Sequence, residues 1–295
     1  MVYDGQLYAV PTAVRSLALF WNKRMFEEAG LDPETPPATL DEMVDFAVAL
    51  TERDGGGNLT AVGLTMAMTG QDHHWWREVL VRQFGGQPYS DDGRTVTYND
   101  EAGAAALQYY IDMIQEHGVS DIGFMDEPQA AFRAGRGGMH IDGSFRLGAL
   151  RDTRGLDWGV GELPANADGD RHNFSSYWVN GITTTPQGEE FDAAARFLQF
   201  ITTPDAMQLW LETVGELPAR EAAALTDENT AHPEYGPFVR GLEYANATQF
   251  VNESAQRQLM VDMVDRVLLQ GMSVEDSLAV AAEQEQALLD EFYGG

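Results

Sequence analysis

Cysteine is missing from all 295 residues. This removes disulfides, thiolate metal sites and cysteine nucleophiles, and leaves the redox compartment open. Lysine is almost missing: Lys23 is the single one among 18 basic residues, against 47 acidic ones, for a formal net charge of −29. Such a field repels nucleic acid and anionic membrane surfaces. A carboxylate shell with so little lysine suits strong salt, where a Debye length of about 3 Å near 1 M screens self-repulsion. We read a halophilic protein; the alternative is an acidic protein whose arginines replace lysines for codon reasons. No run of about 18 apolar residues is available to span a bilayer. The opening Met1-Val2-Tyr3-Asp4 lacks the basic and apolar regions of a signal peptide.

What is present describes a globular chain. Hydrophobic residues make up 44%, with 30 Gly and 12 Pro, which excludes disordered, collagen-like and coiled-coil classes. The length is near twice that of a domain of about 150 residues, so two domains or one large α/β unit is expected. Gln6 to Pro11 reads as a strand ended by proline, and Leu17 to Trp21 as a short buried strand. Asn22 is placed to cap a helix over Lys23 to Ala29, with Gly30 past its end. Thr39 and Glu42 form a capping box for a helix whose apolar face is Met43, Phe46, Ala47 and Leu50. Further helices are expected over Trp75 to Phe84, Asp100 to Glu116, Phe124 to Arg133 and Phe191 to Ile201. Strands are expected at Ala61 to Thr65, Gly137 to Ile141 and Trp178 to Thr184, with a mostly helical end from Pro204. Strands separated by helices argue an α/β fold with a mostly parallel sheet.

Enzyme signatures are weak. Gly143-Ser144-Phe145-Arg146 lacks the second glycine of a nucleophile elbow, and neither a phosphate loop nor a dinucleotide-binding glycine motif occurs. Adjacent His73 and His74 lack the i, i+3 or i+4 spacing by which a helix presents two metal ligands, so they read as a polar loop. Asp54-Gly55-Gly56-Gly57-Asn58 is a plain turn, because the twelfth position of a calcium loop starting there is Thr65 rather than glutamate. The carboxylates offer many pairs to a glycosidase, but spacing in sequence does not define their separation. No catalytic residue, cofactor or metal is therefore assigned.

Aromatic residues beside turns are the positive signal. Trp75-Trp76 opens a helix, Phe145 follows Asp142-Gly143-Ser144, and Tyr177-Trp178 follows the polar Asn173 to Ser176. Ligands of α/β sheets bind outside the strand ends. Flat rings flanked by Asp, Asn, Ser and Arg suit a sugar, which offers a C–H face to stack and a rim of hydroxyls.

Several segments in order carry a resemblance: Gly5 to Pro11, Leu19 to Pro33 with Pro37 to Glu42, Phe84-Gly85-Gly86, Gly138 to Phe145, and Ala193 to Ile201. With them the chain resembles the extracellular solute-binding proteins of ABC importers, in the large group that contains maltose-binding protein. The resemblance implies a type II periplasmic-binding-protein-like α/β fold, with two lobes joined by a hinge and a ligand cleft that closes on binding. It implies that residues 12–157 and 212–295 form the second lobe, and that 1–11 and 158–211 form the hinge and what is present of an incomplete first lobe. It further implies a missing N-terminal segment that anchors the protein at the membrane, an extracellular, cell-surface or periplasmic location, and an ABC permease as partner. The protein would be monomeric. Carried over by motif, Arg15 projects a polar side chain into the cleft, the alternative being a surface ion pair, and Phe145 stacks on ligand. Asp142 accepts hydroxyl hydrogen bonds beside Phe145, Ser144 is a further ligand-binding residue, Trp75 forms an aromatic platform with Trp76 packing inward, and Tyr177 and Trp178 meet ligand from the loop entering the hinge-side strand. An aromatic that maltose binders carry near Gln256-Arg257 is absent here, which weakens maltose itself as ligand. The expected function is binding of a mono- or oligosaccharide, without catalysis. The alternatives are a secreted glycoside hydrolase or lyase, or a binder of a non-sugar solute such as a glycerol phosphodiester or compatible solute.

Overall fold

The computed structural model describes residues 2–3, 5–248 and 250–294. Its axis is one strand, Val10–Asn22, which joins the end of the first strand read from the sequence, Val10 and Pro11, to the second, Leu17 to Trp21. Proline has no N–H to give the ladder. Here Pro11 does not end the strand but adjoins a shift of register between Pro11 and Ala13. Separately, Gln6–Leu7 pairs with Val2–Tyr3.

Among the described residues eight strands form one sheet, in the order Ala245–Asn246, Asn173–Asn180, Val10–Asn22, Gly137–Gly143, Leu59–Leu64 and Glu52–Arg53, while Trp158–Gly161 and Leu217–Pro218 also join the axial strand. The expectation of a mostly parallel sheet is corrected. All four partners of Val10–Asn22 run antiparallel to it, and the parallel pairs are Leu59–Leu64 with Gly137–Gly143 and Ala245–Asn246 with Asn173–Asn180. Alternation of strands and helices along the chain restricts connection length, not direction, and here the chain returns to one long strand from both sides.

The axial strand changes partners midway. Residues Val10 to Ser16 pair with Asn173–Asn180, whereas Leu17 to Trp21 pair with Gly137–Gly143. Its second half is buried on both faces, which explains the unbroken apolar run. Leu17, Leu19 and Trp21 enter one core with the helices Leu40–Leu50 and Glu101–Gln115. Ala18 and Phe20 enter the other, where Phe20 meets Phe238, Trp158 and Phe132 at ring separations of 5.7, 5.9 and 6.4 Å. Truncating a ring packed this way costs about 3–5 kcal/mol.

Local signals place most helices as expected, but the helix expected over Phe124 to Arg133 begins only at Pro128. Asn22 Oδ1 accepts from Met25 N at 3.2 Å. Thr39 Oγ1 accepts from Glu42 N at 3.2 Å, while the Glu42 carboxylate reaches back to Ala38 N at 2.7 Å. The helix begun at Asp72 widens to π geometry over Trp75–Leu80 and returns to α over Val81–Gln83. The C-terminal helix Val274–Gly294 is tied to that segment by a buried ion pair, Arg77 Nη2 to Glu285 at 3.0 Å. Tyr98, Gln256 and Tyr89 also donate to the Glu285 carboxylate. Among the described residues no helix is long and apolar enough to cross a membrane. The helix Glu189–Ile201 buries none of its residues, and Phe197, Phe200 and Trp210 are largely exposed.

Candidate functional site

Arg15 sits in the first half of the axial strand, directly across from Ser176. Side chains two apart on a strand share a face, so Trp178, two residues beyond Ser176, lies on the Arg15 side. The guanidinium carbon is 4.7 Å from the Trp178 ring centre and 4.5 Å from that of Phe145. Phe145 reaches it from the end of strand Gly137–Gly143 because residue 143 is glycine: a Cβ there would lie 2.3 Å from the Phe145 ring.

The charge of Arg15 is met by Glu216. Arg15 Nη2 donates to Glu216 Oε1 at 2.7 Å, and Trp178 Nε1 donates to the same oxygen at 3.3 Å. Glu216 follows Gly215, whose left-handed conformation, at φ 84°, ends the helix Pro204–Val214. Gly215 also allows close packing, since a Cβ on it would stand 2.6 Å from the carbonyl oxygen of Ser144. One cluster thus collects Arg15, Ser144, Phe145, Trp178 and Glu216. Within it the Arg15 Nε, the Ser144 hydroxyl and Glu216 Oε2 are buried with no hydrogen-bond partner among the described residues. Trp178 remains 54% exposed, so the cluster opens to solvent.

Other residues singled out from the sequence lie elsewhere. Trp75 is 1% exposed and packs on Tyr110 and Tyr109, with ring centres 6.1 and 6.5 Å away. Its ring has no open face, which corrects its expected role as a platform; Trp76 is buried as well. Tyr177 is exposed, but alternation turns it to the sheet face opposite Trp178. Asp142 is buried and already engaged: its carboxylate accepts from Gly143 N at 2.8 Å, Arg146 Nε at 2.6 Å and His140 Nε2 at 3.1 Å. Burial alone would raise its pKa, but the bonds and charges of His140 and Arg146 outweigh that and hold it below the usual carboxylate range. Asp142 therefore fixes His140 and Arg146 at the wall of a neighbouring cavity of about 230 Å³, which Gln71 and Gln129 also line, and the Arg146 guanidinium carbon is 5.3 Å from the Phe145 ring centre.

Glu216 escaped sequence reasoning because it lies 201 residues from Arg15. Its local signal was Gly215 closing a helix, which marks a turn without indicating what the next side chain meets.

The chain is 24% identical over 318 residues to an sn-glycerol-3-phosphate-binding periplasmic protein of Pectobacterium atrosepticum, covering 98% of this chain and 68% of that protein. Among solved structures, it matches a cyclic alpha-maltosyl-1,6-maltose binding protein of Arthrobacter globiformis at 26% identity. The TM-score is 0.80, over 98% of this chain and 74% of that one. An ABC transporter solute-binding protein of Thermotoga lettingae, bound with alpha-D-tagatose, shares the fold at 23% identity and a TM-score of 0.80, with 98% and 74% covered. Residues 1–237 match the model of the bacterial extracellular solute-binding proteins, and the chain belongs to that family.

Proposed function

We propose that this chain is the substrate-binding subunit of an ABC importer, that it holds a mono- or oligosaccharide against Arg15, Ser144, Phe145, Trp178 and Glu216, and that it delivers it to a membrane permease. The observation carrying this reading is the trio of buried, unpartnered polar atoms beside two aromatic rings. Buried polar groups are normally satisfied, and sugar hydroxyls both donate and accept, so they suit a guanidinium N–H, a hydroxyl and a carboxylate oxygen together. The rings supply apolar surface to the sugar's C–H face. Micromolar binding needs only about −8 kcal/mol, within reach of such contacts after hinge closure is subtracted.

In this reading the protein is a monomer that works outside the cytoplasm and performs no chemistry. Residues 12–157 and 212–295 form one lobe, and 1–11 with 158–211 belong to the hinge and the other. The change of partners along Val10–Asn22 near residue 16 supports a hinge close to the first boundary. A non-sugar solute of the glycerol phosphate ester class is the second reading, favoured by the sn-glycerol-3-phosphate for which the Pectobacterium relative is named. Against it, Glu216 already neutralises Arg15 at 2.7 Å, which favours an uncharged ligand.

Thermal shift over a panel of sugars and sn-glycerol-3-phosphate in strong salt decides between them, since a ligand at 100 times its dissociation constant adds about 2.7 kcal/mol. A shift by a neutral sugar, with saturable tryptophan fluorescence and no product release, supports the proposal. A response to the phosphate alone, or turnover of an oligosaccharide, overturns it.

A further inference from the structure

The reading of His73 and His74 as a polar loop is corrected by the structure, which buries both in the helix from Asp72. The two residues lie where the helix from Asp72 passes into the π segment. Their ring centres are 3.7 Å apart. With Glu253, the first residue of the helix Glu253–Leu268, they offer three ligand atoms that all lie within 4.8 Å of one another.

The rings are prepared in the manner of metal-binding histidines. His73 Nδ1 stands 2.7 Å from the carbonyl oxygen of Gly70; donating there fixes the tautomer and leaves Nε2 with a free lone pair. That Nε2 and the Nδ1 of His74 are buried without hydrogen-bond partners among the described residues. The residues themselves are 0% and 6% exposed. His74 is held by stacking on Phe174 at 3.7 Å and 9°. Glu253 is half exposed and engages Arg257 through Oε1 at 2.6 Å.

We propose that His73, His74 and Glu253 form a binding site for a divalent transition-metal ion of the zinc, cobalt or nickel class. Two imidazoles and one carboxylate match the preference of these ions for mixed nitrogen and oxygen ligands, whereas calcium and magnesium require oxygen sets. Three protein ligands leave one position of a tetrahedral ion open to water. The bound ion would clip the start of the Glu253–Leu268 helix to the segment carrying the histidines. Phe174, on which His74 stacks, shares a strand with Trp178.

The test uses the full chain, stripped with a chelator and then titrated with Co²⁺ in strong salt to suppress diffuse binding to the acidic surface. The expected result is saturation at one ion per chain with the intense visible absorption of four-coordinate cobalt, abolished by added Zn²⁺. Glu253→Gln, at an exposed helix start, weakens binding at least tenfold, and His74→Gln removes it. If the histidine variant does not fold, Glu253→Gln still decides the matter. Only weak absorption of six-coordinate cobalt, or equal affinity in wild type and Glu253→Gln, overturns the site.

Discussion

Replacing Arg15 by methionine isolates the interaction at the centre of the proposed binding surface. The change keeps an unbranched side chain between Phe145 and Trp178 but removes the guanidinium that donates to Glu216 at 2.7 Å. Glu216, 8% exposed, then retains one contact, the Trp178 Nε1 at 3.3 Å. Breaking a fully buried ion pair by deleting one partner costs about 3–5 kcal/mol, mostly the penalty of an uncompensated charge. Arg15 is 18% exposed, so solvent screens part of this, and we expect about 2–3 kcal/mol for Arg15→Met. Glu216→Gln keeps shape and the Trp178 bond and should cost about 1–2 kcal/mol, because Arg15 remains stacked and partly hydrated. In the double variant neither charge is stranded, so its cost falls short of the summed singles by about 1–2 kcal/mol. Urea unfolding of the four proteins measures this directly. Because the pair is largely buried, the coupling should persist in strong salt, where exposed pairs are screened. A coupling below about 0.5 kcal/mol, the additivity expected of independent sites, would refute the account of a paired guanidinium.

Asp142→Asn should make the protein less stable at neutral pH by about 2–3 kcal/mol, since it leaves the Arg146 guanidinium without its charge partner. Asp142 has a lowered folded-state pKa, so its contribution is full above the ordinary aspartate range and is lost as pH falls through the folded value. The gap between variant and wild type should therefore close in acid unfolding curves; a gap independent of pH would contradict the assignment. Trp178→Ala should weaken ligand binding about tenfold by calorimetry with little loss of stability. Trp75→Ala, at a ring 1% exposed, should lose about 3–5 kcal/mol of stability, and the reverse pattern would exchange their roles. With a net charge of −29, melting temperature should rise between about 0.1 and 1 M KCl, as the Debye length falls from about 10 to 3 Å. A flat profile by calorimetry would remove the halophilic reading.

Local chemistry fixed much of this molecule before any tertiary contact was known. The caps at Asn22 and Thr39, the helix break at Gly30, the buried run Leu17 to Trp21 and the acidic surface all follow from periodicity, side-chain hydrogen bonding and charge within a few residues. The ordered segments from Gly5 to Ile201 were enough to carry the family resemblance. Only the tertiary structure decided which tryptophan faces water, since Trp75 and Trp178 both follow polar residues and the covering partners of Trp75 lie on the distant helix Glu101–Gln115. It alone paired Arg15 with Glu216 across 201 residues, reversed the expected strand directions, and brought His73 and His74 to Glu253. A sequence records the period of each element, but partners are chosen by the global packing of faces, which no window of neighbouring residues contains.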